Sequence, residues 1–388
     1  MTSISLKDRC AIAGIGETEY VRGTDKSVLR LQLEAAIKAI ADAGLNPKDI
    51  DGIIPYPGSG IISEQLQVNL GIPELRFGST IHQGGAGPVA SVETAVMAVI
   101  TGAANHVLMV AGRAGYSKSP ISARVTGGRP EFDLMDEFEK PYGSLVPCHW
   151  YAAAARRHMH EYGTTSRQLG HVAVAFRKHA NLNPRAIMHG KPMTIEDHQN
   201  SRMLADPFRL FDCSLETDGA AAVVITTVQR AQDLRKKPAM IMGVAQGHPD
   251  WPTSITQKPV ITEIGGIRRA ARKCFAMAGI TPKDVDVAEI YDCFTWVALC
   301  SLEDIGFCEK GEGGAFVEGG RIELGGVLPV NTHGGELSEA HVSGMNHIVE
   351  AVRQIRGEAD AHQSAKAEIV LVSGYGNLFE GSVMLLRR

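Results

Sequence analysis

Short apolar runs alternate along this chain with stretches whose apolar residues recur at helical spacing. Cys10–Gly16 (CAIAGIG) reads as a buried strand ending in a glycine turn. From Ser27 to Ala43, the residues Leu29, Leu31, Leu33, Ala36, Ile37 and Ile40 give a helix one apolar face. Gly44 can end that helix with a left-handed residue, Pro47 opens the next local element, and a short strand follows around Ile50–Pro55.

The same succession is written again later. AGLNPKDID at Ala43–Asp51 and AGITPKDVD at Ala278–Asp286 stand 235 residues apart, each preceded by an alanine-rich amphipathic helix and followed by a strand. A second pair keeps the order: Glu93–Gly102 leads into HVLMVAG at His106–Gly112, and Glu350–Gly357 into EIVLVSG at Glu368–Gly374. Either pair alone could be the ordinary likeness of two helix–turn–strand units, but two pairs in the same order indicate a duplication. Gly219–Thr227 and Gly381–Leu386 then supply the closing strand of each half. The polar stretch 229–238 reads as a linker, after which Ala239–Gly247 restarts a sheet. The chain is therefore expected to be α/β, with halves at 1–234 and 235–388. Between about 113 and 210 lies an insertion with helices expected at Trp150–Tyr162 and near Ser166–Lys178, which either covers a ligand site or adds a helical layer.

Composition narrows the class. The 388 residues, 44% of them hydrophobic, suffice for a continuous core, and the 42 glycines follow no fibrous period. Apolar stretches of roughly six to ten residues fall short of the roughly 20 that span a bilayer. The polar start Met1–Arg9 resembles no signal peptide, so a cytoplasmic protein without a membrane span is expected. Seven cysteines, at 10, 148, 213, 274, 293, 300 and 308, form no paired framework and are read as free thiols. With 39 basic and 43 acidic residues and no basic block, nucleic acid is not an expected partner.

Four segments break the apolar pattern with glycines and polar residues. STIHQGGAG at Ser79–Gly87 precedes the apolar helix Pro88–Ile100; such an entry can aim free N–H groups at an anion or a carbonyl, or simply be a close-packed turn. EIYDCFT at Glu289–Thr295 ends the strand after the repeated turn. NTHGGELSEAHVSG at Asn331–Gly344 gathers Asn331, His333, Glu336, Glu339 and His341 before an amphipathic helix. Such groups at irregular loop spacing can move protons or polarise a carbonyl, whereas no thiolate pair or H-E-x-x-H spacing supports zinc. SGYGN at Ser373–Asn377 is a glycine-rich exit from a strand.

Together these segments resemble the thiolase superfamily, specifically its sterol-carrier-protein-type thiolases and thiolase-like lipid-transfer proteins, over essentially the whole chain. The anchors are DGAAA (Asp218–Ala222), YDCF (Tyr291–Phe294), NTHGG (Asn331–Gly335) and His341 at the place of the thiolase Gly-His-Pro histidine. The resemblance implies a thiolase fold, two duplicated α/β halves in a five-layered α-β-α-β-α arrangement, and a homodimer. It also implies an acyl-CoA thioester as substrate, with coenzyme A part of that substrate and no tightly bound cofactor or metal. Gly84, Gly85, His333, Gly335 and Gly374 would lie against it.

The departures from the thiolase pattern decide the chemistry. The nucleophilic cysteine belongs at the start of the buried helix, where this chain has Gly84, to within one residue; the second reactive cysteine belongs near Ser373 and Gly374. Cys293 is expected to be a core or supporting thiol, because the oxyanion-site histidine of the HDCF motif is here Tyr291. What remains is Tyr291, His341 and Asn331, the last as a water-holding or orienting group. This set suits a retro-aldol cleavage of a β-hydroxyacyl thioester, in which a base takes the hydroxyl proton while donors stabilise the enolate. Thiolase-like steroid side-chain aldolases are similar in lacking the nucleophile and using tyrosines; His341 stands where a second tyrosine is expected, and a reference pKa of about 6.5 leaves it a neutral base. Those aldolases work with a small zinc-containing OB-fold (DUF35-like) partner, so zinc would belong to that partner only. The alternatives are an acyltransferase or condensing enzyme and a noncatalytic acyl-CoA or lipid-binding subunit.

Overall fold

The computed structural model describes residues 6–120, 137–251 and 255–388. The strands among them are β1 Cys10–Glu17, β2 Gly52–Pro55, β3 Phe77–Gly78, β4 Val107–Ala114, β5 Met203–Ala205, β6 Phe208–Arg209, β7 Asp218–Thr227, β8 Ala239–Gly247, β9 Val287–Glu289, β10 Ile369–Tyr375 and β11 Gly381–Arg387. Nine of these follow the order β3-β2-β4-β7-β1-β8-β11-β10-β9, and β5 and β6 form a separate ribbon. The seam between β1 and β8 has only two paired positions, Ala11 with Met240 and Ile12 with Ala239, so two sheets meet there at an edge.

Each side of the seam repeats the other. β2-β4-β7-β1 matches β9-β10-β11-β8, with β2/β4 and β9/β10 parallel and the remaining pairs antiparallel. Even the edge corresponds: β3 runs parallel beside β2, and Val330 bridges Ala288 of β9 in parallel. The repeated turn is duplicated in its hydrogen bonds. Asn46 N–H donates to Asp49 and Thr281 N–H to Asp284, both at 2.8 Å. Asp51 then accepts from Asn105 and His106 N–H at the start of β4, as Asp286 accepts from Glu368 and Ile369 N–H at the start of β10.

Alternation along the strands makes the layers. In β4, Leu108 and Val110 face α1 (Val28–Ala43), while Val107, Met109 and Ala111 face the opposite way, into the space between the sheets. In β10, Val370 and Val372 face that same inner space, and Leu371 faces α5 (Gly265–Ala278) on the far side. The inner layer consists of α2 (Gly87–Ile100) and α7 (Met345–Arg356), giving the order α-β-α-β-α. The inserted helices α3 (Pro147–Tyr162) and α4 (Ser166–Leu182) join α5 and α6 (Thr295–Ile305) in the outer core of the second sheet. The part of the expected insertion at 121–136 lies outside the described residues.

Three expectations are adjusted. Helix α3 starts at Pro147 because proline suits the first helical turn, and α4 runs on to Leu182 because His179 and Ala180 are still buried. The polar stretch after 227 is not all linker: Thr227 caps a short helix, Val228–Gln232, by accepting from Arg230 N–H. Helix α7 has an amphipathic sequence yet is buried all round. Its polar face meets protein instead of water: Glu350 accepts from Thr332 and Gln354 at 2.8 Å, and Arg356 donates to Ala13 O and Asp42.

The paired aspartates give a test of the duplication. Asp51→Ala and Asp286→Ala each strand backbone donors at the start of a parallel strand, and each is expected to cost about 2–3 kcal/mol in urea unfolding. An unchanged midpoint for either would show that its turn does not depend on the carboxylate.

Candidate active site

The ends of the repeated elements from both halves meet around a cavity of about 350 Å³ lined by Gly84, Gly85, Arg113, Tyr291, Cys293, His341 and Tyr375, among others. Tyr291 enters it from the loop that leaves β9. That loop is pinned along its backbone: Ile290 N–H donates to Asn331 Oδ1 at 2.6 Å, Asn331 Nδ2 donates to Ile290 O at 2.8 Å, and Tyr291 N–H reaches Ser373 Oγ at 3.3 Å. Asp292 accepts from Glu336 and Leu337 N–H, capping the short helix Gly335–Ser338, and lies 3.0 Å from His347 Nε2.

His341 faces the Tyr291 hydroxyl, 3.5 Å from Nε2. Its backbone is tied to Thr217, whose Oγ1 accepts from His341 N–H at 2.9 Å. Arg113 Nη1 lies 2.9 Å from Nε2. A guanidinium can only donate, so Nε2 is the unprotonated nitrogen and the ring hydrogen sits on Nδ1, directed at Ser214 Oγ 3.2 Å away. Glu336 Oε2 is 3.4 Å from Nε2. Burial, then the nearby Asp292, push the Glu336 carboxyl well above the usual carboxylate range, against the pull of Arg113. Burial, followed by Glu336, Cys293 and Tyr56, raises the Tyr291 phenol well above its ordinary value, so it is a hydrogen-bond donor rather than a ready base.

The glycines at the start of α2 explain how the tyrosine fits. A Cβ on Gly85 would come 2.1 Å from Tyr291 Cζ and 2.3 Å from its hydroxyl, and Gly84 adopts φ +50° beside Asn377. The phenol thus occupies the volume that a side chain at the head of this helix would need. Cys293 does line the cavity rather than only supporting it. Burial first, then Glu336 and Asp292, push its thiol up, which disfavours the thiolate that a nucleophile requires.

Other residues singled out by sequence are not at the cavity. Asn331 ties both ends of its amide to Ile290 and so holds the Tyr291 loop, and it is fully buried away from the cavity lining. His333 is fully buried, 3.0 Å from Glu289. Burial and His347 push that histidine down to about 3, while burial and Glu350 push Glu289 up to about 8, so the pair is buried in its neutral form. Gly335 and Gly374 serve packing: a Cβ would meet Asp292 at 2.1 Å in the first case and Ser382, Ala86 and Gly85 in the second. The two histidines of the NTHGGELSEAHVSG segment therefore face different surroundings, and no metal-ligating cluster is found among the described residues.

Sequence reading passed over Arg113, Tyr375, Tyr151 and Ser214. Arg113 had a signal, a lone charge at the end of the apolar run of β4. Its position is fixed by Asp218 of the DGAAA segment, which accepts from Tyr116 and Ser117 N–H just beyond it. Tyr375 closes β10 with its ring centroid 5.3 Å from that of Tyr151 and 6.4 Å from that of Tyr291.

Residues 247–387 match a family described as thiolase C-terminal domain-like. The chain is 42% identical to the 17-hydroxy-3-oxo-4-pregnene-20-carboxyl-CoA lyase of Mycobacterium tuberculosis over 98% of its own length and 100% of that protein. It is 39% identical to the steroid side-chain-cleaving aldolase of Thermomonospora curvata, over 98% of each chain. Among solved structures, the Ltp2-ChsH2(DUF35) aldolase superposes with a TM-score of 0.91 at 39% identity, covering 99% of both chains. The duplicated halves, the five layers and these relatives agree: the chain belongs to the thiolase superfamily, in the sterol-carrier-protein-type branch that contains the steroid side-chain aldolases.

Proposed function

We propose that this protein is a carbon–carbon lyase, a retro-aldolase acting on a β-hydroxyacyl-CoA thioester with a bulky lipid or steroid side chain. The observation that carries this reading is the meeting of Tyr291, His341 and Arg113 in a cavity whose helix head is glycine. The names of the two similar lyases supply the substrate class.

His341 Nε2 takes the proton of the β-hydroxyl. The Cα–Cβ bond then breaks, its electron pair moving onto the thioester carbonyl oxygen as an enolate, and a ketone or aldehyde is released. Arg113, exchanging Nε2 for the new oxyanion, and the Tyr291 hydroxyl supply the donors that hold this charge. The enolate carbon recovers a proton from the His341 imidazolium, giving the shortened acyl-CoA and restoring the neutral ring. An acyltransferase would need an acylated thiol, and the raised Cys293 disfavours that alternative. The reading includes a homodimer, a zinc-containing OB-fold partner and a cytoplasmic setting. The solved relative paired with ChsH2(DUF35) supports the partner, and no helix among the described residues is long and apolar enough to cross a membrane.

The decisive assay supplies the purified chain, with its OB-fold partner, with β-hydroxyacyl-CoA thioesters of steroid and simpler side chains. Paired ketone and shortened acyl-CoA, detected by mass spectrometry, are expected; binding without either product would refute the lyase assignment for those substrates. Tyr291→Phe is expected to lower kcat by about 10²–10³-fold through loss of one oxyanion donor, and His341→Ala by about 10²–10⁴-fold through loss of the base. Wild-type rates in a folded variant would remove that residue from the scheme. Because its pKa is raised, Tyr291 stays protonated to pH values above about 10, so kcat/KM should show no alkaline limb from this phenol below that pH. A limb near pH 9 that vanishes in Tyr291→Phe would contradict the donor role.

A further inference from the structure

Two thiols that the lyase chemistry does not use touch at the edge of the cavity. Cys148, the second residue of α3, has its Sγ 3.9 Å from Sγ of Cys213, and both are partly exposed. They belong to different walls. Pro147, Trp150 and Tyr151 on the Cys148 side line the cavity. On the other side, Ser214 lies 3.2 Å from His341 Nδ1, Ser214 N–H donates to Cys293 O, and Leu215 N–H donates to Glu336 O.

We propose that Cys148 and Cys213 are a modification site, a dithiol that a peroxide converts to an intramolecular disulfide, tying helix α3 to the segment that orients His341 and thereby switching off the cavity. The sulfurs need to close to about 2.05 Å, a movement of roughly 2 Å. The polarity of the pair sets the order of events. The hydrogen bond from Cys213 pulls the Cys148 thiol below its ordinary value, and position at a helix N-terminus favours the same thiolate, while Cys213 is pushed up as the partner that keeps its proton. The Cys148 thiolate attacks one peroxide oxygen, breaking the O–O bond to give a sulfenic acid and hydroxide. Cys213 sulfur then attacks the Cys148 sulfur, forming S–S and expelling the sulfenic oxygen as hydroxide, which leaves as water with the Cys213 proton. Two thiols are oxidised and one peroxide is reduced to two waters.

The bond follows from the geometry of the pair alone; the loss of activity rests on the lyase reading. The full chain is treated with hydrogen peroxide, remaining thiols are alkylated, and intact mass and peptide maps are recorded. The oxidised protein is expected to carry two fewer alkyl groups than a reduced control alkylated in parallel, with one cross-link joining the Cys148 and Cys213 peptides, absent in Cys148→Ser and in Cys213→Ser and reversed by dithiothreitol. A cross-link to Cys293, or sulfinic acid without any cross-link, overturns the site. With its partner, the oxidised protein should lose turnover roughly 10²-fold, the scale of a 1 Å misplacement in an active site, and recover it on reduction, whereas Cys148→Ser should be unaffected by peroxide. A mapped Cys148–Cys213 bond with unchanged turnover overturns the switching role. Should the reduced protein have no lyase activity at all, the mass and peptide data still decide the bond.

Discussion

The Tyr291 ring rests on the backbone of Gly85 so closely that position 85 has no room for even a methyl group. This contact bars any side chain from position 85 at the head of the buried helix and brings a phenol to the cavity there, while at position 84 the backbone takes φ +50°, which favours glycine. The rest of the site serves to keep that ring where it is. Asn331 and Ser373 fix the backbone that leads into it, at Ile290 and at the Tyr291 N–H, and Asp292 just after it joins its loop to the short helix leading to His341. Ser373 stands where a second reactive cysteine is expected in the superfamily, and its hydroxyl now holds the tyrosine loop. At both places where the superfamily pattern expects a reactive sulfur the chain has none, with Gly84 and Gly85 at the first and Ser373 at the second.

Holding the loop in this way requires polar groups deep between the sheets, and their charge is managed by pairing. His333 with Glu289 is buried as neutral acid and neutral base. Glu350 is pulled the other way, its carboxyl lowered by the His362 contact and by Arg353 despite full burial. An uncompensated charge here would cost several kcal/mol. The network therefore makes the interior specific for one arrangement of α7, β9 and the loop after it, which is the arrangement that aims Tyr291.

The fold was legible where the sequence repeats a local rule. The Pro-Lys-Asp turns at 47–49 and 282–284 are visible because their prolines and capping aspartates do the same work twice. Helix α7 was half legible: its pattern showed the helix, but polar residues facing buried partners look in sequence like polar residues facing water. Tyr291 and His341 were found from the motifs that carry them. Asn331 and His333 came from one loop motif, but Asn331 orients the Tyr291 loop from behind while His333 turns into the interior, because a motif does not say which way a side chain points from a loop. Arg113 belongs to the first half and meets His341 only through the stacking of the halves, a contact across 228 positions that no local pattern encodes. Tyr375 lay in a segment noticed for its glycines, yet its ring is one of the cavity walls.

The central claim is that the bond-breaking step proceeds without an acyl-enzyme. Rapid acid quench during turnover of a β-hydroxyacyl-CoA, followed by intact-protein mass spectrometry, tests this directly. The expected result is unmodified protein at every time point while shortened acyl-CoA accumulates. A transient acyl adduct on Cys293 or any other thiol, formed and lost at the rate of turnover, would contradict it.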